Sequence, residues 1–223
     1  MADSGRGKRG GGGGGGGSVP AGYGRLVHHY VFYGAYHTNV VNQWIHIVCV
    51  PAILATALLM AHALSPPATT LLPAAVVPER LSVLVMKVVE RLTGAPLSIA
   101  TIAAAVYMAF YVYLTPTLLG LSAAALVFAL FQLALAALPL LGAHAVTVTA
   151  VIHVVCWLAQ FYGHGVHEKR APALLDNLLQ AIFMAPIFVY MEMLYKVGLL
   201  AGVHAAAASR IREERAKLTA VKP

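Results

Sequence analysis

Charged side chains are scarce in this sequence. Only 10 % of the 223 residues are Asp, Glu, Lys or Arg, against about 25 % in an ordinary soluble domain. Residues 92–167 contain none at all. A chain so poor in charge cannot cover its surface for water, and with 60 % hydrophobic residues the apolar material exceeds what one core can bury. A water-soluble globular protein is therefore excluded, and an integral membrane protein is what remains. Cysteine is equally sparse: Cys49 and Cys156 both lie in apolar stretches. Two such residues build neither a disulfide framework nor a thiolate zinc site, and read as small buried hydrophobes. Acidic residues number 8 against 15 Lys plus Arg. The basic excess flanks apolar runs, so anionic lipid headgroups are the expected partner rather than nucleic acid.

Apolar runs are what the sequence has instead. A crossing of the bilayer needs about 20 apolar residues for about 30 Å of hydrocarbon. Trp44–Leu64, Leu97–Leu114, Leu118–Leu138 and Ala145–Tyr162 answer that description, with aromatic residues near several ends, as an interfacial belt requires. A fifth run, Leu178–Val203, is interrupted by Pro186, Glu192 and Lys196 and reads as interfacial or re-entrant. Glu79–Leu92 has charges at both ends and Lys87 between, the pattern of a short amphipathic helix on a membrane surface. The expected architecture is an all-α polytopic membrane helical bundle of about four spans. Residues 1–24, with Gly10–Gly17 unbroken, read as a flexible arm. Residues 25–203 form the membrane domain that carries any chemistry, and 204–223 a basic tail. Both ends are rich in Lys and Arg, so the positive-inside bias places both in the cytosol.

Histidine is unexpectedly common, with 10 in the chain, and an ionisable group at membrane depth is a functional signal. Two stretches concentrate it. In YHTNVVNQWIHIVCVP (Tyr36–Pro51) Asn39 suits the N-cap of a helix starting near Val40. Asn39, Asn42 and His46 then share one stripe, and His37 can join His46 only if it precedes the helix and the chain folds back. In the second stretch His153, Trp157, Gln160 and His164 fall on one stripe. At 1.5 Å per residue His153 and His164 stand roughly 16 Å apart, too far to share an ion. With cytosolic ends, His37, His46 and His164 reach one depth near the cytosolic face, and His153 lies about half a bilayer deeper. A three-histidine site completed by Glu168 or water is the economical reading, favouring Fe(II) or Zn(II) over hard cations. Polar packing among the spans is the alternative.

The first stretch, together with WLAQFYGHGVHEKRAPALLDNLLQAIFMAPIFVYMEML (Trp157–Leu194), resembles the membrane 2-hydroxy fatty acid dioxygenases. The similarity covers roughly residues 25–200 and is densest in the second stretch. It implies an endoplasmic reticulum enzyme of phytosphingosine breakdown. Such an enzyme uses Fe(II) and O2 to shorten a 2-hydroxy fatty acid by one carbon with release of CO2. Motif for motif, His37, His46 and His164 match the family's histidines, and Glu168, Lys169, Arg170, Pro172, Asp176, Asn177 and Glu192 also match. The resemblance implies that the three histidines hold the iron. Lys169 or Arg170 would pair with the substrate carboxylate, the alternative for both being positive-inside anchoring, and Glu168 would ligate or orient a histidine. His167 departs from the pattern, where an aromatic or apolar residue such as Phe is expected. His153 and His167 stand as candidate ligands of a further, weaker site. The rival classes are a membrane metal transporter, which needs polar groups lining a route across the bilayer, and a lipid-binding scaffold, which needs no metal.

Overall fold

The computed structural model describes residues 18–73, 75–172 and 178–220, and Asp176 and Asn177 lie outside them. Among the described residues every regular element is helical. Helix α1 spans Gly24–Tyr36, α2 Val40–Ala63, α3 Ala68–Leu71, α4 Glu79–Thr93, α5 Ile99–Leu114, α6 Leu118–Leu141, α7 Ala145–Tyr162, α8 Leu178–Lys196 and α9 Ala201–Ala220. The four anticipated crossings coincide with α2, α5, α6 and α7. By length and apolar character, however, two stretches qualify as crossings, Val40–Ala63 and Leu118–Glu168. A third qualifies if Ala181–Lys196 and Ala201–Leu218, bent by 114°, form one broken span. Helix α5 falls short at 16 residues.

The Leu118–Glu168 run covers 51 residues. A straight helix of that length would measure about 77 Å, more than twice the hydrocarbon thickness. Gly142 interrupts it with φ +52° and ψ −132°, a conformation that costs glycine little and other residues much. The 3-10 turn Gly142–His144 then leads into α7. Both α6 and α7 pack against α2, which is the central helix of the bundle and also touches α5 and α8.

Tight packing explains which residues are buried. Leu54, Leu58 and Leu59 of α2 meet Ala100, Ala104 and Tyr111 of α5 and Val127 and Phe131 of α6 in one core. Small residues let the backbones approach, which is how helices associate where lipid removes the hydrophobic drive between them. The outward face of α7 carries Val151, Val154, Val155 and Leu158, all more than half exposed. A bare aliphatic face of this kind is suited to lipid tails. Helix α4 buries only Ser82, in keeping with a lone amphipathic helix.

The C-terminal region differs from a simple tail. Gly198 (φ +87°) and Leu200 (φ +58°) turn the chain after α8, and residues 201–220 form α9. Val203, Ala206 and Ala207 are buried, and Ile211 lies on Gly34 of α1. The small alanine face thus docks on α1 while the basic residues stay outside. Charge count saw the basic residues and overlooked the alanines.

Candidate metal centre

Three elements build the site. Helix α1 ends at His37, whose N–H bonds the Gly34 carbonyl. Asn39 caps α2, its side chain accepting from the Val41 N–H at 2.9 Å, so His37 sits outside the helix at the fold-back that convergence with His46 requires. His46 then faces inward two turns along α2. The third element is the π-helical turn Gly163–Glu168 at the end of α7, which widens the helix and carries His164. Single π turns recur at functional sites because they re-aim a side chain.

The three imidazoles meet. Ring centroids lie 4.5 Å apart for His37 and His46, 4.8 Å for His37 and His164, and 5.0 Å for His46 and His164. One ligating nitrogen from each falls within 4.8 Å of the others. All three are buried, at 7 %, 3 % and 2 % exposure.

Hydrogen bonding fixes two of the tautomers. His37 Nδ1 lies 2.8 Å from the Tyr33 carbonyl, and His46 Nδ1 lies 2.9 Å from the Asn42 carbonyl. A carbonyl only accepts, so each Nδ1 carries the proton and each Nε2 keeps a lone pair for a ligand. Burial and the two neighbouring imidazoles hold the His37 pKa well below the ordinary value, which keeps that ring neutral, as ligation demands. His164 Nδ1 is buried with no partner.

The remaining candidates have other duties. Glu168 stands outside the histidine group, and both of its carboxylate oxygens accept hydrogen bonds. Oε1 accepts from the N–H groups of Thr38 and Asn39 at 2.6 Å each and from Asn42 Nδ2 at 3.3 Å. Oε2 accepts from Thr38 Oγ1 at 3.0 Å. A carboxylate on the N-terminus of α2 also complements the helix dipole. Glu168 thus ties the π turn to the α2 start.

His153 is likewise excluded from the group by distance and by saturation. Its Nδ1 donates to Thr56 Oγ1 at 2.9 Å, and its Nε2 accepts from Trp157 Nε1 at 3.0 Å. His167 sits edge-on to Tyr162 at 5.5 Å. Lys169 adopts φ +53° and ends the π turn. The Arg170 guanidinium lies 5.3 Å over the Tyr36 ring and donates to the Ala35 carbonyl at 3.3 Å. Both basic residues follow the turn and neither lines the cavity described next.

A cavity of about 320 Å³ opens from the histidines. It follows α2 from His46 to Ala57 and α7 from His164 to His153, eleven residues on each helix, or roughly 16 Å. The helices are antiparallel here, since His46 meets His164 and Thr56 meets His153. Val50, Ile53, Leu54, Met184 and Phe188 make most of the wall apolar. The cavity is thus long and mostly apolar, with the three imidazoles at one end.

Gly163 holds the corner together. A Cβ there would run into the Asn42 carboxamide and lie 3.2 Å from Ile45 Cδ1. Gly165, two residues on, faces open space. Gly163→Ala is expected to cost about 1–3 kcal/mol of stability through overpacking and to lower bound metal by displacing His164. Gly165→Ala should change neither, as thermal melts and metal analysis on the pair would show.

Sequence reasoning did not single out Tyr33 or Thr38. The signal for Tyr33 was present: it lies four residues before His37, as Asn42 lies four before His46, and in each pair the earlier carbonyl receives the imidazole proton.

The comparisons with known proteins cover the elements that build this site. A family model described as 2-hydroxy-palmitic acid dioxygenase Mpo1-like matches residues 23–197. The 2-hydroxy-palmitic acid dioxygenase MPO1 of Saccharomyces cerevisiae is 32 % identical over 174 residues, which is 76 % of this chain and 79 % of that protein. No solved structure matches. The matched region runs from α1 through α8 and includes all three converging histidines. The chain belongs to the Mpo1-like family.

Proposed function

We propose that this chain is an Fe(II)-dependent dioxygenase that α-oxidises a 2-hydroxy long-chain fatty acid. The products are the fatty acid one carbon shorter, CO2 and water. The carrying observation is the union of three neutral-ready imidazoles with an apolar slot about 16 Å long. An acyl chain fits the slot, and its polar head then arrives at the histidines. The name of the yeast relative, a 2-hydroxy-palmitic acid dioxygenase, supports the same substrate class.

The residues present suit the metal. Three histidine nitrogens, two with fixed tautomers and one with an orphaned buried Nδ1, form a borderline-soft donor set of the kind Fe(II) accepts. His37, His46 and His164 would hold it, and when bound it supplies one-electron reactivity toward O2 with positions left open for ligands. The protein does the rest. The Tyr33 and Asn42 carbonyls hold two imidazoles in their ligating tautomer. Glu168 ties the π turn to the α2 start, so that His164 stays beside His37. The apolar wall aligns the tail and excludes water from the reacting end. In balance, the C1–C2 bond breaks, C1 leaves as CO2, and C2 is oxidised to a carboxyl group by O2, with one water formed.

The clustered Lys and Arg of the two ends support cytosolic termini, and the setting we propose is the endoplasmic reticulum membrane. The test is metal content of the purified full chain, followed by O2 uptake and product analysis with 2-hydroxypalmitate. About one iron per chain and a C15 acid as product are expected. Absence of bound metal together with absence of turnover would favour a scaffold, and metal flux into liposomes without O2 uptake would favour transport.

A further inference from the structure

An apolar slot that receives an acid must still satisfy the acid's polar head. A carboxylate or hydroxyl taken out of water needs hydrogen-bond partners, or its burial costs several kcal/mol. Most polar groups of the cavity wall are already committed. His37 and His46 spend their protons on backbone carbonyls. His153 and Trp157 bond each other, and the Tyr107 hydroxyl donates to the Ile182 carbonyl at 3.2 Å.

Two wall residues are different. The Tyr33 side chain is 93 % buried, from its 7 % exposure, and its hydroxyl has no partner. Its ring stacks on His37 at 3.9 Å between centroids and 15° between planes. Gln160 is 8 % exposed, lines the cavity, and its carboxamide bonds to no described residue. It lies one helical turn before His164. One residue comes from α1 and the other from α7, and they flank the histidines. The unpartnered buried side-chain atoms among the described residues are Tyr33 Oη, Asn42 Oδ1 and His164 Nδ1. All three belong to this one corner. Evolved interiors rarely leave such groups unpaired, so each calls for a partner such as an ordered water, an ion or a ligand.

Building on the function proposed above, we infer that Tyr33 and Gln160 bind the substrate's polar head. The Tyr33 hydroxyl donates to a carboxylate oxygen, and the Gln160 carboxamide, being both donor and acceptor, reads the 2-hydroxyl. Discrimination between a 2-hydroxy acid and a plain acid then resides chiefly in Gln160, while affinity for either acid depends on Tyr33.

The experiment is anaerobic binding, so that no ligand is consumed, of 2-hydroxypalmitate and palmitate to the detergent-purified full chain. Wild type is compared with Tyr33→Phe and Gln160→Met, with thermal melts and metal content measured in parallel. Tyr33→Phe should weaken both acids by about tenfold while its melting temperature holds or rises, because a buried unpartnered hydroxyl is removed. Gln160→Met should weaken 2-hydroxypalmitate by a similar factor and leave palmitate unchanged, erasing the preference. Metal content should not move in either variant. Unchanged binding of both acids in both variants overturns the inference and leaves the dioxygenase reading intact. A lowered melting temperature with unchanged binding assigns the two residues to structure and also overturns it. Failure of the wild type to prefer 2-hydroxypalmitate overturns the inference together with the substrate on which it rests.

Discussion

Alanine at His37, His46 or His164 is expected to abolish turnover of a 2-hydroxy fatty acid, with each single variant falling to background. The three rings contribute one ligating nitrogen each within 4.8 Å, so losing one leaves a two-nitrogen site that holds a divalent ion far more weakly. Loss of metal should track loss of activity in all three. The control is His153→Ala, on the same α7 stripe but committed to Thr56 and Trp157. It should keep its metal. A packing role for the histidines would produce the opposite pattern, with lowered melting temperature and metal retained in the triad variants. Normal turnover in all three would remove the site assignment.

The second large effect is expected at Glu168. Glu168→Ala takes away the acceptor for four donors, two of them backbone N–H groups at 2.6 Å. Hydrogen bonds to a charged partner contribute about 1.5–3 kcal/mol each at the upper end. The loss here is shared and partly made good by solvent, because the clamp is only part-buried, so a net loss of about 2–3 kcal/mol is reasonable. Metal affinity should fall by about 10–100-fold, the usual penalty for losing an outer partner of a metal site. Glu168→Gln separates the contributions. Its amide oxygen still accepts from Thr38 and Asn39, but the charge at the α2 N-terminus is gone, so it should lie between wild type and Glu168→Ala in melting temperature and in metal binding. If Glu168 were a ligand, Glu168→Gln would lose metal as completely as the histidine variants. Isothermal metal titration on the three proteins decides between the two roles.

Much of this was legible in the sequence because it depends on periodicity and local chemistry. The absence of charge over residues 92–167 implies an apolar helical bundle. The Asn39 cap located the start of α2 and put His37 outside it, and rise per residue excluded His153 from sharing an ion with His164. Other features depend on contacts between residues far apart in the chain, which spacing does not reveal. Glu168 lies four residues after His164, a helical neighbour on paper. The π turn rotates it toward the α2 start, where it becomes a clamp. The family resemblance offered Lys169 or Arg170 to the substrate carboxylate, with anchoring at the cytosolic face as the alternative. The left-handed Lys169 and the Tyr36 ring under Arg170 accompany a placement outside the cavity lining. The docking of α9 on α1 escaped notice because the run of Arg and Glu in its second half read as a solvated tail, while alanines of its first half make the contact.

The Glu168 clamp joins positions 126 to 130 residues apart in sequence. Closing a loop of that size is entropically costly and slow relative to forming any one helix. Each motif can therefore be present in a nascent or partly folded chain while no coordination site exists. An ion held by the three histidines binds only the closed topology, so it acts as a thermodynamic lock on the native state. Each tenfold rise of free metal above its dissociation constant adds about 1.4 kcal/mol to the free energy of unfolding.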